Sequence, residues 1–209
     1  MPSRLSPDLT SPHARSVLVA HASATVCATL LARLHANPGT GLHALAWLEA
    51  LSTAPDLLYA QCGGDDDATP LGRSLSPRTP APRLTLRRYR RIRSGVSDPQ
   101  RLPGCVVVTR LATRDAAQAQ LHANAAFAAL QDGAHALRGL IASHLHLSDD
   151  GRSLFDYAEW SSADAQRRAL QREPERLPLA SHPAANVTRY RPRALTLPGV
   201  PTQPAHAQA

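Results

Sequence analysis

Apolar and polar positions alternate along 154–160, LFDYAEW. Leu154, Asp156, Ala158 and Trp160 fall on one side of an extended chain, and Phe155, Tyr157 and Glu159 on the other. The pattern predicts a strand that places a carboxylate and a tryptophan on one face. Two other β-rich runs, SVLVAHA from Ser16 and CVVVTRL from Cys105, predict strands, and a helical period follows each. Val26, Leu30 and Leu34 share one face of the first helix; Ala123, Phe127, Leu130, Ala134 and Leu137 share one face of the second. SDDGRS holds an Asp-Gly turn, the strongest short hairpin signal. With Asp150 and Gly151 as the turn residues, Leu147 pairs with Leu154 and Leu145 with Asp156. After Trp160, Ser161 with Asp164 three residues on predicts a capping box, and Pro174 predicts the helix stop.

The order of elements recurs. GLHALAWLEALSTAPDLLYAQC (41–62) aligns without a gap on GLIASHLHLSDDGRSLFDYAEW (139–160), both opening Gly-Leu and closing Tyr-Ala-(Gln/Glu)-(Cys/Trp). Each copy is preceded by one of the β-rich runs. Each is followed by an arginine-tyrosine strand, around Tyr89 in the first copy and Tyr190 in the second. The repeat therefore reads strand, helix, strand, strand, helix, strand. In the first copy the second helix falls in GGDDDATPLGRSLSPRTPAP, whose glycines and prolines make it very short or lost.

This order is the ferredoxin-like split βαβ unit, of α+β class, with helices on one face of an antiparallel sheet. Such a sheet must cover its other face. Two copies in one chain meet that need by packing sheet to sheet as a pseudo-dimer. The expected organisation is an N-terminal tail (1–15), a degenerate ferredoxin-like repeat (16–93), a polar, proline-bearing linker (94–104), a second repeat (105–195) and a C-terminal tail (196–209).

Composition narrows the function. Hydrophobic residues at 43% and charged residues at 19% describe a globular chain. No apolar run approaches a membrane span, and the N-terminus lacks the apolar core of a secretion signal. Three cysteines without CxxC spacing indicate a reduced, cytoplasmic protein without a metal site. All 23 basic residues are arginine. That excludes Schiff-base and phosphate-loop lysines, and no GxGxxG, HExxH or GxSxG occurs. The net charge of +7 owes much to RLTLRRYRRIRSGVSDPQR. Its strand-spaced Leu84, Leu86 and Ile92 and single Tyr89 read as a solvated terminal strand rather than a nucleic-acid surface.

HLHLSDDGRSLFDYAEWSSADAQRRAL resembles the antibiotic biosynthesis monooxygenase family of dimeric α/β-barrel proteins. The family's stretch is a histidine-bearing strand, a Ser-x-Asp-Gly turn, Asn-Tyr-Ala-x-Trp and a helix. The resemblance covers 105–193 and is faint over the first copy. It implies a tandem, two-copy dimeric α/β-barrel that oxidises a polycyclic aromatic, polyketide-type phenol with O2 to a quinone or ring-modified product. It implies no cofactor, with reduced flavin as the alternative. Trp160 takes the family's active-site tryptophan, Asp156 its asparagine and His146 its strand histidine. The family's tyrosine is Gln166 here. Its arginine has no aligned match, and Arg176 lies close in sequence. In the first copy Leu58 and Cys62 stand at the Asp156 and Trp160 positions, so one working site is expected, in the second.

A tryptophan alone reads as core. A carboxylate beside it under helices is costly unless paired or protonated, so Asp156 has a partner such as Arg176 or is held for chemistry. Register turns His146 with Phe155 and Tyr157, away from Asp156, unless a bulge intervenes. Asp156 then reads as the base, Trp160 as the ring holder, and Arg176 or Arg189 as stabiliser of a phenolate or peroxide. His146, Gln166 and Arg189 make up the substrate-binding set. A reduced-flavin oxygenase and a non-catalytic binding or accessory protein are the alternatives. The expected partners are a small aromatic substrate and O2, not nucleic acid or membrane, for a monomeric pseudo-dimer or a homodimer.

Overall fold

The computed structural model describes residues 15–36, 42–63, 85–96, 98, 101–133, 137–196 and 203–204. The chain divides into two units, one formed by residues 1–89 with 191–209 and the other by residues 90–190.

In the first unit, β1 (Ser16–Ala22) leads into α1 (Ala24–Ala36), followed by β2 (Leu42–Ala50) and β3 (Asp56–Cys62). β3 pairs antiparallel with both β1 and β2. Cys27, Leu30 and Leu31 of α1 pack on Leu18, Ala20, Leu45, Leu58 and Ala60 of the sheet. Leu30 is thus in the core, as its spacing predicts, but Val26 is only partly buried. The side chain of Leu34, and the second helix expected between residues 64 and 84, lie outside the described residues. β4 (Thr85–Val96) carries the arginine strip. Its Tyr89 is buried, while Arg87, Arg90 and Arg93 are exposed.

The second unit holds β5 (Cys105–Ala112), α2 (Ala116–Gly133), β6 (Leu140–Ser148), β7 (Ser153–Trp160), α3 (Ala163–Arg172), a 3-10 turn (Pro174–Arg176) and the first half of β8 (Asn186–Thr196). All pairings are antiparallel, in the order β6-β7-β5-β8. This is the βαββαβ order expected, and the class is α+β. Fully buried Ala119, Ala123 and Ala126 let α2 lie close to the sheet, with Phe127 and Leu130 partly buried beside them. The helix ends at Gly133, so Leu137 joins the core from beyond it.

The strand pairings within the two units repeat in detail. Ser16 pairs with Cys62 as Cys105 pairs with Trp160. A register shift between Leu42 and Ala44 recurs between Leu140 and Ala142. The hairpin register matches the sequence reading: Leu147 opposite Leu154, Leu145 opposite Asp156. The turn itself is displaced by one residue. Gly151 N–H donates to Ser148 O, and Gly151, at φ +68°, follows Asp149 and Asp150 as the left-handed residue. The cap is displaced as well. Ser161 N–H closes onto Gly139 O, so the extended Ser162 caps α3, its Oγ accepting from Ala165 N.

Candidate active site

β7 and α3 form the site. Because side chains alternate on β7, Leu154, Ala158 and Trp160 enter the apolar layer under the helices, and Asp156 enters it with them. There a small cavity of about 30 Å³, partly open to solvent, meets Asp156, Trp160, Gln166 and Arg176. Val107, Leu140, Leu145 and Ala158 supply apolar floor, Ala126 and Leu130 of α2 one wall, and the loop Leu177–Ala180 the remaining cover. Apolar walls with a few convergent polar groups are the usual composition of a small-molecule site.

Asp156 is the carboxyl that lines the cavity. Burial pushes its pKa up to about 7, against the opposing effect of a hydrogen bond from Ser143 Oγ to Oδ1 at 2.8 Å. Near neutral pH the carboxyl therefore populates both protonation states, as a general base requires. Ser143, one position diagonal from Asp156 across β6 and β7, was not singled out from sequence. It shares its face with Leu145, so the same hairpin register would have placed it there. Thr109, directly opposite Asp156 on β5, also lines the cavity and is likewise an addition.

Trp160 is 1% exposed, packed with Cys105, Val107, Leu140 and Ala165, and borders the cavity. Gln166 is 1% exposed; its Oε1 accepts a 2.8 Å hydrogen bond from Arg189 Nε. Arg189 stands opposite Val107 on β8 and does not itself line the cavity. Burial, then the nearby Arg167 cation, lowers its pKa. Arg176 lines the cavity, but its Nε bonds Glu173 Oε2 at 2.5 Å rather than Asp156. An i,i+3 carboxylate on the same turn is simply nearer than the strand. The partner offered for Asp156 on sequence grounds is thus replaced by Ser143.

His146 is set apart. It pairs with Phe155, meets that ring edge-on at 5.6 Å, and places Nδ1 3.3 Å from Phe155 O. Burial pushes its pKa down to about 3, so it is neutral. The bulge in β6 lies between Leu140 and Ala142, too early to turn His146 toward the cavity. In the first unit, Leu58 and Cys62 are 2% and 0% exposed within the apolar core.

The fold has known counterparts. An anthrone oxidase-like protein superposes with a TM-score of 0.63 at 15% identity, over 88% of this chain and 93% of its own. A candidate monooxygenase from Fusobacterium nucleatum gives 0.62 at 7% identity, over 93% and 100%. A ferredoxin fold protein related to antibiotic biosynthesis monooxygenases, from Listeria monocytogenes, gives 0.56 at 14%, over 88% and 98%. No family model and no curated protein matches the sequence. The resemblance read along 144–170 is thereby joined by a likeness over most of the chain: it has the ferredoxin-like α+β fold of antibiotic biosynthesis monooxygenase-type proteins.

Proposed function

We propose that this chain is a monooxygenase acting without a cofactor on a polycyclic aromatic phenol of polyketide type, yielding a quinone. The observation that carries the reading is Asp156: a carboxyl with pKa pushed up to about 7, facing a mostly apolar cavity beside a tryptophan. The names of the structural counterparts, an anthrone oxidase-like protein among them, support the reaction class.

In the hydroxyarene tautomer one hydrogen of the ring CH2 has moved to the oxygen; Asp156 takes that phenolic proton, and the electron pair moves through the ring, giving carbanion character at the remaining C–H carbon. That carbon passes electrons to O2 and forms a C–O bond, giving a hydroperoxide after the proton returns. Loss of the second C–H proton with cleavage of the O–O bond leaves C=O and releases water. One oxygen atom enters the product and the other leaves as water, so the four-electron oxidation of CH2 balances the reduction of O2. Trp160 holds the flat ring, and the Arg176 guanidinium at the cavity wall offsets the developing negative charge.

The two copies are part of the proposal: a tandem pseudo-dimer in which only the second copy keeps a site. The repeated register and bulge support a duplication. The test is oxygen uptake with an anthrone-type phenol, with and without reduced flavin and chelator. Uptake independent of both additions, with one atom of ¹⁸O₂ in the quinone, is expected. Turnover only with reduced flavin would replace the mechanism, and no uptake with any phenol would overturn the enzyme reading.

A further inference from the structure

Gln166 carries a feature that the reaction does not use. Its side chain is almost fully buried on α3, lines the cavity, and leaves Nε2 without a hydrogen-bond partner among the described residues. A buried amide N–H without an acceptor is destabilising and rare in folded proteins.

The orientation of that amide is not free. Arg189 donates from Nε to Gln166 Oε1 at 2.8 Å. A guanidinium has donors only. Flipping the amide would set N–H against N–H, so Arg189 locks the carbonyl toward β8 and leaves the NH2 as the group without a partner. The Gln166 carbonyl already accepts from Arg189, so the group left over at this corner is a donor. Asp156, when ionised, is the reverse: it only accepts. Arg189 lies two strands from Asp156 and two residues along, since Thr109 faces Asp156 and Val107 faces Arg189. Strand spacing and rise put their Cα atoms about 12 Å apart.

We infer that Gln166 is a specificity-determining donor, oriented by Arg189, that reads an acceptor oxygen on the substrate distinct from the hydroxyl met by Asp156. The ligand class is an aromatic ring system with a phenolic OH and a separate carbonyl-type oxygen, bound in one orientation. Arg189 is a positioning residue in this scheme, acting through Gln166. The inference rests on the reading of the cavity as the substrate site, but not on oxygen chemistry.

The test is equilibrium binding, followed by quenching of tryptophan fluorescence, of 6-hydroxy-2-naphthaldehyde and of 6-methyl-2-naphthol, which keeps the ring and hydroxyl but lacks the acceptor. Wild type is expected to bind the aldehyde about three- to tenfold more tightly, the range of one neutral hydrogen bond. Gln166→Leu keeps the apolar bulk and is expected to bring the ratio to one. Arg189→Met frees the amide to rotate and is expected to lower the ratio part of the way, with Arg189→Lys restoring less than wild type. Equal wild-type binding of the two naphthols overturns the inference without needing any variant. A preference that survives intact in folded Gln166→Leu overturns it as well. A preference that disappears in Gln166→Leu while no phenol supports oxygen uptake upholds this corner and removes the monooxygenase reading instead.

Discussion

Ser143 Oγ donates a 2.8 Å hydrogen bond to Asp156 Oδ1 across two neighbouring strands, so the residue that holds the carboxyl also tunes it. The bond favours the ionised form and opposes the larger effect of burial. Because the base must be ionised to act, activity is expected to rise with pH through an acidic limb near 7. Ser143→Ala removes the opposing bond, and the limb is expected to move to higher pH in a kcat/KM profile. An unmoved limb would assign the titration to another group.

Asp156→Asn separates chemistry from stability. Asparagine keeps an acceptor for Ser143 and loses the proton-taking group, so a fall of about 10²- to 10⁴-fold in kcat is expected. A carboxyl whose pKa is raised on folding contributes stability that is complete below its unfolded value near 3.8 and lost as pH rises through about 7. Above pH 7 the wild type therefore carries the burden of a buried anion that the variant lacks. Asp156→Asn is expected to melt higher than wild type at pH 8.5, by at most about 4 kcal/mol since the carboxyl opens onto the cavity, with the gap closing toward pH 4. Melting curves at the two pH values check this.

Trp160 is tested by size. Trp160→Ala empties a fully buried site in the cluster with Cys105, Val107 and Leu140, and is expected to lose about 3–5 kcal/mol by denaturant unfolding. Trp160→Phe keeps an aromatic face and is expected to fold, with a raised KM if the ring stacks on substrate.

Leu58→Asp asks whether the first copy is a dormant site. Leu58 is packed against Cys27, Leu30 and Leu45, so a carboxylate there is expected to destabilise on the order of 3–5 kcal/mol and to add no second binding event. A gain of stoichiometry in calorimetric titration would show otherwise.

The arginine strip is expected to give no specific DNA or RNA affinity. Tight binding with a steep salt dependence, lost on replacing Arg87, Arg90 and Arg93, would contradict this.

What the sequence showed of the site followed from period and register. A strict two-residue alternation put Asp156 and Trp160 on one face, and one turn signal aligned Leu145 with Asp156 and turned His146 to the other face, although the family resemblance kept His146 in the substrate-binding set. Both inferences use only neighbours along or across a hairpin. The turn and the cap were each misplaced by one residue, because Asp149 competes with Asp150 and Ser161 with Ser162 for the same role. Sequence spacing does not separate adjacent residues of like chemistry; the backbone hydrogen bond of Ser161 to Gly139 does. The cover at 177–180 and the engagement of Arg176 by Glu173 depend on how an irregular segment lies over the sheet, which no periodicity encodes. The empty amide of Gln166 is visible only after Arg189, on a distant strand, is known to hold its carbonyl.

Leu58 and Cys62 in the apolar core of one copy, against Asp156 and Trp160 at a cavity in the other, divide labour along the chain. A homodimer of identical subunits cannot do this: every substitution that improves the site is imposed on both halves, and so is every burden. On the proposed duplication, fusion releases the first half to accumulate core-filling replacements while the second retains a carboxyl against its own folding. Mutational tolerance should therefore follow different rules in the two halves, volume alone in the first and both volume and polarity in the second.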